Sequence, residues 1–197
     1  MYKKLRKKLD SSWIKANGIW DLAVYGSYAR GKEEAKDIDI AIILPKITSA
    51  GIKLALCQQA RKMLADKDYK IDAKAVDIKD MQDSSFLARE GIIAEGHLLL
   101  KNKPLAAIFG FSAFMLVEYS LKKLPPGKQK MLYYSLQGRK KGSGVLADYG
   151  GRILSKGVLE VPTAHYEKLK YLLDYYGVDY KAMPCLRYKG VESSFSK

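Results

Sequence analysis

Residues 37–44 read Asp-Ile-Asp-Ile-Ala-Ile-Ile-Leu, and Pro45 closes the run. So apolar a stretch belongs in a sheet core, yet it opens on two carboxylates. Successive side chains of a strand point to opposite faces, so Asp37 and Asp39 share one face, about 6–7 Å apart. Two carboxylates that close repel each other unless a cation joins them. Their hard oxygens suit Mg²⁺. Mg²⁺ in turn clamps triphosphate oxygens and offsets charge during in-line phosphoryl transfer.

The preceding strand, Ile19 to Tyr25, ends at Gly26-Ser27. Glycine lets the backbone approach a ligand closely and adopt dihedrals closed to other residues. Ser27 offers a hydroxyl and an amide at what reads as a helix start, a good place for a phosphate. Arg30, one turn later, can make charge-assisted contacts to the same phosphates. A phosphate grip at Gly26, Ser27 and Arg30 and a metal grip at Asp37 and Asp39 thus lie in one short segment.

The rest of the chain alternates helix and strand patterns. Leu5, Leu9, Trp13 and Ile14 form an apolar stripe on a single helix over residues 2–17. A helix is expected over 49–65, a strand over 70–78, a helix near 84–94 and a short strand near 97–100. Asn102-Lys103-Pro104 reads as a domain edge. Beyond it come a strand (113–121), a helix opened by Pro125-Pro126, a hairpin (152–154 and 158–161), a helix ended by Gly177, and a last strand (179–187). The expected organisation is α/β over residues 1–104 followed by a smaller α+β domain over 105–197. The second has βαββαβ order, the order of the ferredoxin-like split βαβ fold.

The 197 residues carry a net charge of +14. The first 104 contribute +6 and the remainder +8. Such a field attracts polyanions, of which nucleic acid is the commonest. Arg139, Lys140 and Lys141, between Gly138 and Gly142, can track a phosphate backbone. The basic N-terminus (Lys3, Lys4, Arg6, Lys7, Lys8) is a second candidate, and some of the many tyrosines after residue 130 can stack on bases. No apolar run is long enough to span a membrane, and no secretory signal pattern is present. Cys57 and Cys185 lie far apart without metal-ligand spacing, and Cys57 reads as a buried thiol on an apolar helix face, while His97 and His165 are isolated and read as surface or packing residues. A reducing, cytoplasmic setting is expected.

A hydrophobic residue, Gly26-Ser27, nine residues, then Asp37-Ile38-Asp39-Ile40 resembles the signature of the polymerase-β-type nucleotidyltransferases. The Gly-Ser-Tyr-Ala-Arg-Gly form is most similar to their small, minimal members, including stand-alone archaeal-type proteins, and the resemblance covers about residues 18–101. It implies a nucleotidyltransferase fold with a short mixed sheet. It also implies a two-metal site for Mg²⁺ or Mn²⁺ with Asp37 and Asp39 on both metals, and a third carboxylate from a later strand, on the catalytic metal and placed to help activate the acceptor hydroxyl. Asp72 and Asp77 compete for that role. Asp77 is favoured, because residues 86–100 look like the segment that follows the third carboxylate in minimal members.

The expected function is Mg²⁺-dependent transfer of a nucleoside monophosphate from a triphosphate such as ATP to an acceptor hydroxyl, with RNA as the favoured acceptor. A protein-modifying, antitoxin-like transferase is one alternative, although nothing in the residues indicates a protein partner. An RNA- or ribosome-associated binding protein on an inherited fold is another. A small cationic substrate is disfavoured by the positive charge of the chain.

Overall fold

A computed structural model describes residues 2–140 and 143–192. The chain divides into two units, Met1–Gly110 and Phe111–Lys197.

The first unit begins with α1 (Lys3–Lys7) and α2 (Ser11–Ala16). The single helix expected over 2–17 is broken because the Asp10 carboxylate accepts the Ser12 and Trp13 amides and starts a new helix. There follow β1 (Asp21–Tyr25), the short α3 (Gly26–Ala29), β2 (Asp37–Ile43), α4 (Ala50–Leu64) and β3 (Lys70–Val76). After these come α5 (Ile78–Gln82), α6 (Ala88–Glu95), β4 (His97–Leu98), β5 (Lys103–Pro104) and α7 (Leu105–Ile108). The sheet order is β3-β2-β1-β4-β5. It is mixed: β1 runs antiparallel to β2 and β4, and β2 runs parallel to β3.

Alternation sorts this sheet into two packed faces. Ile38, Ile40 and Ile42 of β2 join Leu22, Val24 and Ala73 in the core under α1, α2 and α4. Ala23 and Tyr25 of β1, Ala41 of β2 and Val76 of β3 face the other way, with Ile92 of α6 and Leu105 of α7. Asp37 and Asp39 share the alternation of Ala41, so they extend this second face towards the end of the strands.

Two expectations need correction here. The third strand ends at Val76, not Ile78, because Asp77 caps α5 in a capping box with Asp80. The first unit runs past Pro104 to Gly110, because Leu105 and Ala106 are buried and Leu105 belongs to its core.

The second unit holds β6 (Phe111–Ser120), α8 (Pro126–Gln137), α9 (Val145–Asp148), β7 (Arg152–Ser155), β8 (Val158–Pro162), α10 (Tyr166–Tyr176), β9 (Asp179–Tyr188) and α11 (Lys189–Glu192). Its sheet is antiparallel, in the order β7-β8-β6-β9. Met115, Val117, Leu159 and Val161 on one face pack with Leu132 and Leu136 of α8 and Leu169 and Leu173 of α10. Those leucines follow the three- and four-residue spacing that puts side chains on one helix face. Among the described residues no helix is long and apolar enough to cross a membrane.

Candidate active site

Parallel pairing of β2 with β3 builds the centre of the site. In the register, Asp39 stands opposite Asp72. Neighbouring strands lie about 4.8 Å apart and in-register side chains share a face, so Asp72 stands beside Asp39 as Asp37 does from within β2. The three aspartates line one open cleft of about 670 Å³ together with Ser27, Lys32 and Lys36. Of the two candidates for the third carboxylate, Asp72 lines this cleft, whose wall also includes Glu34. Asp77 is one residue further than β3 reaches, at the opposite end of the strand, and its alternation sends it to the other face.

Asp77 has a different task. It is 2 % exposed and accepts the amides of Thr48, Lys79 and Asp80. The Lys53 ammonium sits 2.7 Å from it and also pairs with Asp80. Burial alone would push its carboxyl up. The Lys53 ion pair and the Thr48 and Asp80 amides outweigh that and hold it down at about 2.

Asp39 shows the opposite balance. Its carboxyl is pushed above the ordinary range, first by burial and then by Asp72, with Asp37 adding to it. Lys74 and Arg30 pull the other way without winning. An anion that resists ionising in its own site is relieved by a cation. Among the described residues, no group of three or more His, Cys, Asp or Glu side chains is gathered tightly enough to cage a metal ion. The donor chemistry still fits Mg²⁺, which is usually held by one or two carboxylates while waters and substrate phosphates complete its shell.

A raised carboxyl favours the folded state in its protonated form. That contribution is full below the unfolded value of about 4 and is lost as pH rises through the raised folded value. Asp39→Asn is therefore expected to raise the Tm of the metal-free protein at pH 7 and to leave it unchanged at pH 3. Scanning calorimetry at the two pH values checks this, and a lower Tm at pH 7 would contradict it.

The loop beside the aspartates is tightly fitted. Gly26 has φ +74°, and a Cβ there would collide with the Asp39 carboxylate. Only glycine meets both demands without strain. Gly26→Ala is expected to weaken Mg²⁺-dependent triphosphate binding at least about tenfold, the usual scale for disturbing a ligand's support. Titration with a fluorescent triphosphate analogue measures this. The Gly26 amide donates to Glu95 Oε2 at 3.0 Å, and Arg30 Nη1 lies 2.8 and 2.9 Å from the two Glu95 oxygens. Arg30, expected on phosphate, is thus paired with Glu95, a residue of the 86–100 segment to which the sequence alone assigns no role. Tyr25, opposite Asp39 across β1 and β2, keeps a buried hydroxyl with no hydrogen-bond partner among the described residues.

The family model described as Polymerase beta, Nucleotidyltransferase matches residues 7–105, half of the 197-residue chain. The chain belongs to this nucleotidyltransferase family. No curated protein matches the nucleotidyltransferase. Among solved structures, it is similar to a mutant of the toxin–antitoxin MntA-HpeT. There the identity is 18% over 45% of this chain and 66% of that one, with a TM-score of 0.32. A toxin–antitoxin with AMP-PNP shares 19% identity over 48% and 71%, at a TM-score of 0.34. A tri-AMPylated Shewanella oneidensis HEPN toxin in complex with an MNT antitoxin gives 23% over 49% and 63%, at 0.28. The chain spans just under two thirds of the first of these proteins. At such scores the likeness carries nothing about its substrate or partner.

Of the residues expected to bind nucleic acid, the basic N-terminus lies in the first unit, where Lys4 and Lys8 both pair with Asp66, and the others lie in the second. Arg139 and Lys140 are exposed just beyond α8, with the Arg139 guanidinium 6.0 Å from the Tyr134 ring. Lys141 lies outside the described residues.

Proposed function

We propose that the nucleotidyltransferase moves a nucleoside monophosphate from a triphosphate to an acceptor hydroxyl, releasing pyrophosphate, at a site built from Asp37, Asp39 and Asp72. The observation that carries this is the pairing of Asp39 with Asp72 beside Asp37 in the cleft that Ser27 lines. Mg²⁺, or Mn²⁺ with the same oxygen preference, would be held by these carboxylates and, when bound, would offset phosphate charge and polarise the phosphoryl oxygens. The Ser27 hydroxyl and amide hold a triphosphate oxygen, and Lys32 and Lys36 draw the polyanion into the cleft. The Asp72 carboxylate, at the open side of the group, receives the proton of the attacking hydroxyl.

RNA is the acceptor class we favour. The support is charge: residues 105–197 carry +8 of the net +14, and Arg139 and Lys140 are exposed beside Tyr134. The element order and the antiparallel order β7-β8-β6-β9 support reading the second unit as a ferredoxin-like platform for that acceptor.

The test is incubation with Mg²⁺, each α-labelled triphosphate, and total cellular RNA or total protein, beside an Asp37→Ala/Asp39→Ala variant. Label in RNA that depends on the two aspartates is the expected result. Label confined to protein would replace RNA with a protein acceptor. No label, with RNA retained by both versions, would leave an RNA-binding protein on an inherited fold.

A further inference from the structure

We infer that Glu95 is a positioning residue that sets the phosphate-gripping loop against the metal-binding aspartates, an inference that rests on the nucleotide site proposed above. Glu95 is the last residue of α6, and its side chain is 9% exposed. Its carboxylate takes two partners from the same loop, one at each end of α3. Oε2 accepts the Gly26 amide at 3.0 Å, and both oxygens meet Arg30 Nη1 at 2.8 and 2.9 Å. Gly26 is the loop residue whose missing Cβ leaves room for the Asp39 carboxylate. One side chain therefore fixes the backbone atom on which the placement of Asp39 depends, and fixes it through a charge-assisted bond.

The anchor is packed against the sheet. Ile92, one turn before Glu95, is fully buried, and a Cβ at Gly91 would lie 3.6 Å from the Tyr25 ring. Directly after Glu95, the Gly96 carbonyl accepts the Leu105 amide at 2.7 Å. Glu95 thus transmits the position of the second core face to a loop of only four helical residues, too short to hold its shape unaided. Arg30 acts here through Glu95, so its charge steadies the loop.

The full-length protein tests this with Glu95→Ala, Glu95→Gln and Arg30→Ala. The measurements are Mg²⁺-dependent binding of a fluorescent, non-hydrolysable ATP analogue, and the Tm of each variant. Glu95→Ala is expected to weaken binding about 10–100-fold, the range seen when support behind metal ligands is removed. Glu95→Gln keeps an oxygen for the Gly26 amide and is expected to recover much of that loss. Arg30→Ala should cost less than Glu95→Ala, because the Gly26 bond survives. Binding unchanged in a folded Glu95→Ala protein, but lost in Asp37→Ala/Asp39→Ala, would overturn the positioning role alone. Losses that track Tm equally in Glu95→Ala and Glu95→Gln would also overturn it, since they mark plain stabilisation. Absence of Mg²⁺-dependent binding by the unaltered protein would overturn the nucleotide site and this inference together.

Discussion

Asp72→Asn is expected to cut nucleotidyl transfer about 10²–10³-fold while the protein stays folded, the usual loss when one group aimed at transition-state charge is removed. Asp72 stands opposite Asp39 in the β2–β3 register and lines the same cleft. The asparagine keeps the size of the side chain but removes the charge that a divalent cation needs and the base that takes the hydroxyl proton. Stability should barely move. The ion pair of Asp72 with Arg61 spans 3.4 Å between two side chains that are nearly half exposed, and such pairs contribute little. Because removing Asp72 also relieves Asp39 of a like charge, the metal-free protein should not lose Tm at pH 7. Transfer rate and calorimetry on the same preparation separate the two effects. A Tm drop that accounts for the lost rate would contradict the assignment.

Asp77→Ala should do the reverse. It removes a carboxylate that is 1% exposed and leaves Lys53, whose ammonium is 2.7 Å away, with Asp80 as its remaining partner. The loss should therefore stay below about 3–5 kcal/mol, the cost of leaving a buried charge wholly unpaired. The substitution also removes the cap of α5, because the Lys79 and Asp80 amides lose their acceptor, as does the Thr48 amide outside the helix. Since the folded carboxyl is held down at about 2, its contribution is present above the unfolded value of about 4 and is lost as pH falls from there towards 2. The unaltered protein should therefore lose stability across that window, and Asp77→Ala should show a flatter acid limb. Denaturant unfolding at pH 7, 4 and 2 reads both. Equal stability of the two proteins at pH 7 would contradict the structural role.

The contrast between these residues shows where the sequence was informative. Asp37 and Asp39 sit in one strand, so alternation alone put them side by side. Gly26 was legible for the same reason, as a glycine at the end of the preceding strand. Alternation also separated Asp72 from Asp77, but which face was the site depended on β2 pairing with β3, a contact between residues more than thirty positions apart. A carboxylate flanked by aliphatic residues looks alike in both places. The local signal against Asp77 was present: Asp77 and Asp80 are spaced as a helix start, and they form a capping box. Spacing placed Arg30 in the loop, but its partner Glu95, inside the 86–100 segment that carries the resemblance, was given no role of its own and is brought to it by the packing of α6 on β1. In the second unit, Pro125-Pro126 ahead of α8, Gly177 after α10 and the aromatic and branched residues of β6 marked the elements well. The break at Asp10 was missed because the apolar stripe continues through it.

Electron paramagnetic resonance of Mn²⁺ with a non-hydrolysable triphosphate tests the central claim most directly, because it reports the metal whatever the acceptor is. The account predicts bound Mn²⁺ in the unaltered protein and in Asp77→Asn, and its loss in Asp39→Asn and Asp72→Asn. Mn²⁺ that persists in Asp72→Asn, or is lost in folded Asp77→Asn, would contradict the assignment of the third carboxylate.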